Sequence, residues 1–260
     1  MAGEELSFGR HRRPKRILFV CTGNTCRSPM AEILLRDMVA KGEAPELEIR
    51  SAGTAAALGS DMSEDAREVL ADRGIDTGEF RSQPLTGKLV DWADLILTMT
   101  RQHKMEVLMR FPQAWKRVAV LSEWAEPDRW EPFIKEAEEL YEEIGRQQAA
   151  VRQAQAQEMA ELERRRLELR RAEPVNEEEL SEVEEALEEL GRKVAETGRE
   201  QRQDLARIEG DLASLEVADP VGQGREAYEA TADRLVELLK GLVDRLATPT
   251  RRGSGRRGDS

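Results

Sequence analysis

Hydrophobic and polar positions follow two different rhythms along this chain. Between residues 16 and 121, short apolar runs alternate with stretches whose apolar residues recur every three or four positions. The short runs are "RILFVC" (16–21), "ELEIRSAG" (46–53), "DLILTMT" (94–100) and "RVAVL" (117–121). Each is too brief for a stable helix, so each predicts a strand. Between them, "PMAEILLRDMVAKG" (29–42), "SEDAREVLADRG" (63–74) and "QHKMEVLMRF" (102–111) predict amphipathic helices. Ser63 stands as an N-cap with acidic residues after it, and Gly42 and Gly74 stand at helix ends. Further on, "GREAYEATADRLVELLKGLVDRL" (224–246) predicts one long amphipathic helix. Strands alternating with helices predict an α/β fold: a four-stranded parallel sheet with helices on both faces.

The second rhythm is a heptad. Apolar or small residues fall at Val183, Leu187, Leu190, Val194 and Thr197, pass through Gln201, and resume at Leu205, Ile208, Leu212 and Leu215. That is a three-four stripe with one stutter near Gln201. Phe133, Ala137, Leu140, Ile144, Val151, Ala154 and Leu162 make a weaker stripe upstream. Pro174 breaks the first arm, and Asn176 before three glutamates reads as the cap of the next. Folded about Pro174–Val175, the polar patch 147–157 lies opposite 193–203, so both stripes weaken at the same height. The pattern predicts an antiparallel coiled-coil hairpin with arms reaching roughly 60 Å.

Charge separates the same two regions. Residues 125–216 hold 27 acidic and 14 basic side chains, while the whole chain of 260 residues has a net charge of −12. The remainder is therefore close to neutral. The expected organisation is a catalytic domain in two parts, 1–124 and 217–248, interrupted by the hairpin at 125–216. A Gly/Ser/Arg-rich tail at 249–260 is expected to be disordered. A chain this acidic is no general binder of nucleic acid. No apolar run approaches the roughly 20 residues of a membrane span. The polar start, "MAGEELSFGRHRRPKR", reads as no signal peptide. Two cysteines five positions apart make no disulfide framework. These features predict a cytoplasmic protein. Two cysteines without nearby histidines cannot supply four zinc ligands, so no metal is expected.

Both cysteines stand in "CTGNTCRSPMAE" (21–32), between the first strand and the first helix. Backbone N–H groups of such a turn, with those of the helix start, converge on an anion. Arg27 adds a planar fork matched to phosphate oxygens. The same field favours a thiolate at Cys21, placed for in-line attack on phosphorus. Gly23 permits the close turn. Ser28 can donate a hydrogen bond to the sulfur.

With its flanking strand and helix, "VCTGNTCRSPMAE" resembles the phosphate loop of the low-molecular-weight protein tyrosine phosphatases. "SAGT" (51–54), "ADLILTMTRQHK" (93–104) and "ADPVGQG" (218–224) follow in that family's order. The resemblance covers about 1–124 and 217–246, and the hairpin lies outside it. It implies a phosphate site of Thr22, Gly23, Asn24, Thr25, Cys26, Arg27 and Ser28, with Cys21 as nucleophile and Asn24 as a brace. It implies Asp219, in Asp-Pro, as general acid and then base, because the leaving atom needs a proton and the attacking water must lose one. It implies no cofactor. His103 is expected to be structural or capping. Cys26, in the tight curl of the same loop, is placed as a redox partner that captures an oxidised Cys21 as a disulfide.

Two positions bear on substrate. Position 25 is threonine where tyrosine-specific members carry a bulky aliphatic, and the string most resembles the protein arginine phosphatase branch. Val221 follows Asp-Pro where tyrosine phosphatases commonly carry Tyr and the arginine branch tends to carry Phe. "TAAALGSDM" (54–62) offers no aromatic wall. The expected activity is hydrolysis of phosphoarginine in proteins through a phosphocysteine. Phosphotyrosine hydrolysis is the alternative. An interaction protein, binding a partner or itself through the hairpin, is the alternative of another class. Arsenate reduction needs further cysteines that the chain lacks.

Overall fold

The computed structural model describes residues 14–172 and 174–247. The expected tail at 249–260 and the polar start lie outside the described residues. Two compact units are present: one runs through Trp130 and resumes at Ala213, and the other is Glu131–Leu212.

The strands are β1 (Arg16–Cys21), β2 (Glu48–Gly53), β3 (Leu95–Thr98) and β4 (Val118–Val120). The helices are α1 (Arg27–Ala40), α2 (Glu64–Asp72), α3 (Gly87–Trp92), α4 (Arg101–Arg110), α5 (Leu121–Ala125), α6 (Pro127–Arg171), α7 (Glu177–Glu196), α8 (Arg199–Leu215) and α9 (Arg225–Ala247). In the first unit the strands pair in parallel in the order β2-β1-β3-β4. Strand β1 is central, and its alternation feeds two cores. Ile17 and Phe19 pack with Met30 and Leu34 of α1 and Leu235 and Leu239 of α9. Leu18 and Val20 pack with Leu89 and Val90 of α3 and Val107 of α4. A strand covered on both faces reads as an unbroken apolar run, which "RILFV" is. Each of these buried side chains contributes roughly 1.5–3 kcal/mol. The sheet thus fixes Cys21, the last residue of β1, opposite Gly53 of β2. The loop that follows emerges at the carboxyl ends of the strands, where open α/β sheets bind ligands.

Two short helices, α3 and α5, carry no sequence signal, because five or six residues are too few to establish a period. Ser63 does precede α2, but its hydroxyl makes no cap hydrogen bond. It serves the phosphate loop instead, as described below.

Within the second unit, α6 runs antiparallel to α7 and α8. Arg170 pairs with Glu184 of α7 at 2.5 Å, and Arg207 of α8 pairs with Glu136 at 2.6 Å. Asn176 caps α7, its Oδ1 accepting from the Glu179 N–H at 3.3 Å. The second arm is not one helix. It breaks at Thr197–Gly198, where Gly198 takes a left-handed φ of +81°. A Cβ on Gly198 would stand 3.1 Å from Ile144 Cγ1, so glycine suits both the turn and the close approach. The heptad stutter near Gln201 lies just beyond this break.

The boundaries of this unit also lie inside the expected 125 and 216. Trp130 is buried. Glu126 pairs with Arg234 of α9 at 2.7 Å, and Arg234 donates to the Leu215 carbonyl at 3.1 Å. These contacts keep both flanks of the insertion with the first unit. Among the described residues, no helix is long and apolar enough to cross a membrane.

Candidate active site

The loop from Thr22 to Cys26 turns the chain from β1 into α1. Asn24 makes the turn with φ 53°, the only non-glycine positive φ among the described residues. Its side chain holds that conformation. Oδ1 accepts from the Gln83 N–H at 2.9 Å, and Nδ2 donates to Ser51 Oγ at 2.8 Å and Ser28 Oγ at 3.0 Å. The proton order beyond it follows from valence. Ser51 spends its one hydroxyl proton on the buried Glu32 at 2.5 Å, so it accepts from Asn24. Ser28 accepts the other amide hydrogen and keeps its own proton. Cys21 Sγ lies 3.0 Å from that hydroxyl, with the Ala52 carbonyl a weaker acceptor at 3.5 Å. With Cys21 ionised, the Ser28 hydroxyl is placed to donate to the sulfur. Burial raises the pKa of Glu32, opposed by the Ser51 hydrogen bond and by Arg36.

Gly53 supports the loop from below by having no side chain. A Cβ there would press into the Thr22 carbonyl oxygen and come within 2.9 Å of the Asn24 nitrogen. Thr54 and Ala55 continue the contact, donating N–H groups to the Cys21 and Thr22 carbonyls at 2.9 and 3.0 Å. Gly53→Ala is expected to lower stability by roughly 1–3 kcal/mol, as overpacking does. It should also weaken phosphate binding; unchanged melting temperature and phosphate affinity would contradict this.

Arg27 opens α1 and is buried. Its Nη2 donates to Asp219 Oδ2 at 2.8 Å, and its Nη1 donates to the Val217 carbonyl at 3.3 Å. The Asp219 side chain is half exposed, at 51%. The segment carrying it is tied to the turn between β3 and α4. The Val217 N–H donates to the Met99 carbonyl at 3.1 Å, and the Arg101 N–H donates to Glu216 Oε1 at 2.9 Å. Val221 is exposed, its N–H donating to Asp219 Oδ1 at 3.3 Å.

Cys26 is buried. Its thiol donates to Ser63 Oγ at 3.3 Å and lies 3.6 Å from both Tyr228 Oη and Thr25 Oγ1. Burial, and contact with Cys26, push the Tyr228 pKa up to about 12. Both cysteines are free thiols. His103 is buried between two hydroxyls, with Thr22 Oγ1 2.8 Å from Nε2 and Thr100 Oγ1 2.7 Å from Nδ1. Burial and then the nearby Arg27 charge lower its pKa to about 4, so the ring is neutral near pH 7.

Residues 16–166 match the family described as low molecular weight phosphotyrosine protein phosphatase. The chain belongs to this family. It is a cysteine-based phosphatase. A protein-arginine-phosphatase of Geobacillus stearothermophilus is 45% identical over 111 residues, 43% of this chain and 72% of that one. A probable low molecular weight protein-tyrosine-phosphatase, EpsP, of Ralstonia solanacearum is 43% identical over 122 residues, 47% of this chain and 81% of that one. Among solved structures, the YwlE arginine phosphatase of Geobacillus stearothermophilus superposes with a TM-score of 0.52 at 27% identity, spanning 90% of this chain and 93% of that one.

The fold of the phosphatase brings Cys21, Arg27, Ser28 and Asp219 together from two stretches of the chain. Thr25 stands half-buried in the same loop. Several participants had no sequence signal of their own. Glu32 and Ser51 act through Asn24, Gly53 acts by its bareness, and Tyr228 acts by touching Cys26. Their letters stand inside or beside the motif strings, but nothing in a string says which side chains meet.

Proposed function

We propose that this phosphatase hydrolyses phosphoarginine in proteins. The features that carry this reading are Thr25 in the loop, Val221 beside Asp219, and a stretch from Thr54 to Met62 with no aromatic side chain. Phosphotyrosine recognition gains from aromatic stacking, which these positions cannot supply. A guanidinium needs room and hydrogen-bond acceptors instead, and the Thr25 hydroxyl is smaller than an isoleucine arm and can accept. Relatives described as protein-arginine-phosphatases, from Geobacillus stearothermophilus and Bacillus subtilis, support it.

The chemistry proceeds in two steps. The phosphoryl oxygens sit against the loop amides and the Arg27 fork. Cys21 Sγ attacks phosphorus, the S–P bond forms, and the P–N bond breaks. The departing nitrogen takes a proton from the Asp219 carboxyl. Ser28, 3.0 Å from the sulfur, donates to the thiolate and steadies it before attack and when it leaves. In the second step water attacks phosphorus and gives a proton to the Asp219 carboxylate. The S–P bond breaks, the thiolate returns, and inorganic phosphate departs.

A side-by-side assay on matched phosphoarginine and phosphotyrosine peptides tests the substrate. The phosphoarginine peptide should have the higher kcat/KM. Thr25→Ile should shift the ratio towards phosphotyrosine by about 10-fold or more, the scale of a changed pocket contact. Preference for phosphotyrosine in the unaltered chain would favour the tyrosine phosphatase reading, which the EpsP relative supports.

A further inference from the structure

The turn between β3 and α4 touches both halves of the cleft. On one side, Met99 and Arg101 hold Val217 and Glu216, which lead to Asp219. On the other, His103 reaches Thr22, the residue after the nucleophile, across 81 positions of sequence. We propose that His103 is a positioning residue for the phosphate loop, acting through the Thr22 hydroxyl.

Capping of α4 does not account for the ring. The Thr100 hydroxyl already accepts from the His103 N–H at 3.3 Å, which satisfies the helix start without the imidazole. Thr22, by contrast, is exposed, and its side chain would otherwise rotate freely. Its carbonyl is fixed by the Ala55 N–H and its hydroxyl by His103 Nε2. A neutral imidazole offers one donor and one acceptor, so it can serve Thr100 and Thr22 together. Burial among Thr22, Thr100 and Arg27 favours that neutral form. The result is one rigid turn that sets the spacing of the cradle from Asp219. Catalytic groups are sensitive to such spacing.

The proposal goes beyond the choice of substrate and is independent of it, since inorganic phosphate is the product in either case. The test is the Kd for inorganic phosphate on the full chain, with thermal unfolding recorded for each variant. Asn can reproduce Nδ1 and reach only Thr100; Gln can place its amide where Nε2 stands and reach Thr22. His103→Asn should weaken phosphate binding by roughly threefold to tenfold, the size of one net hydrogen bond. His103→Gln should restore most of it. Thr22→Val should lose as much as His103→Asn, and the double variant should be no worse than either. Wild-type affinity in His103→Asn, or losses that multiply in the double variant, would overturn the proposal. Should His103→Asn fail to fold, wild-type affinity in Thr22→Val overturns it equally.

Discussion

Replacing Cys21 by serine should abolish turnover and leave phosphate binding in place. The cradle does not depend on sulfur. Asn24 is held by Ser28, Ser51 and Gln83, Gly53 lies under the loop, and Arg27 keeps its place at the start of α1. A serine hydroxyl is nearly the same size but is intrinsically far less acidic than a thiol, so it is a poor nucleophile here. The loss in kcat should be about 10⁴-fold or more, the scale of removing a nucleophile from a site that acts as a unit. Arg27→Lys should fail differently. A point charge cannot present two parallel donors, and its flexible stem cannot reach both Asp219 and the Val217 carbonyl. That variant should lose phosphate affinity as well as rate. Steady-state kinetics with a phosphate-binding isotherm separate the two patterns. Substantial turnover in Cys21→Ser would contradict the nucleophile assignment.

Replacing Asp219 by alanine should cut turnover by roughly 10²–10⁴-fold, the usual contribution of one acid-base group. The dependence on leaving group is more diagnostic than the size. The carboxyl matters most where the departing atom cannot leave unprotonated, as a guanidine nitrogen or an alkoxide cannot. An aryl phosphate with a very acidic phenol should lose much less in the first step. The structure adds a second consequence. Asp219 accepts from Arg27, so the alanine variant frees one arm of the fork. Phosphate affinity should hold or rise while turnover falls. Equal rate losses for good and poor leaving groups would count against the acid role.

How much of this was legible in the sequence varied with the physics behind each element. The four strands were legible because each is buried or half-buried and bounded by turns; "RILFV" could be nothing else in so polar a stretch. The phosphate loop was legible because a cysteine, an arginine and a glycine must stand at fixed spacing to surround a phosphate. Asp219 was reached only through resemblance, since a lone Asp-Pro is otherwise a turn. Helices α3 and α5 were hidden by their shortness. The break at Gly198 was hidden because a stutter marks a change of winding without saying whether the helix stops. Ser63 stands at the N-cap of α2 as its place in the sequence indicated, but its hydroxyl accepts from the thiol of Cys26 instead of a helix N–H, which no local pattern shows. The linkage of His103 to Thr22 depends on how α4 lies against β1, which no local pattern encodes.

The most direct measurement is a rapid quench of the unaltered full chain with a phosphoarginine peptide, followed by mass analysis of the loop peptide. The account predicts a phosphoryl group on Cys21, formed as free arginine peptide appears in equal amount. Release of phosphate with Cys21 unmodified, or labelling of Cys21 by a phosphotyrosine peptide alone, would contradict it.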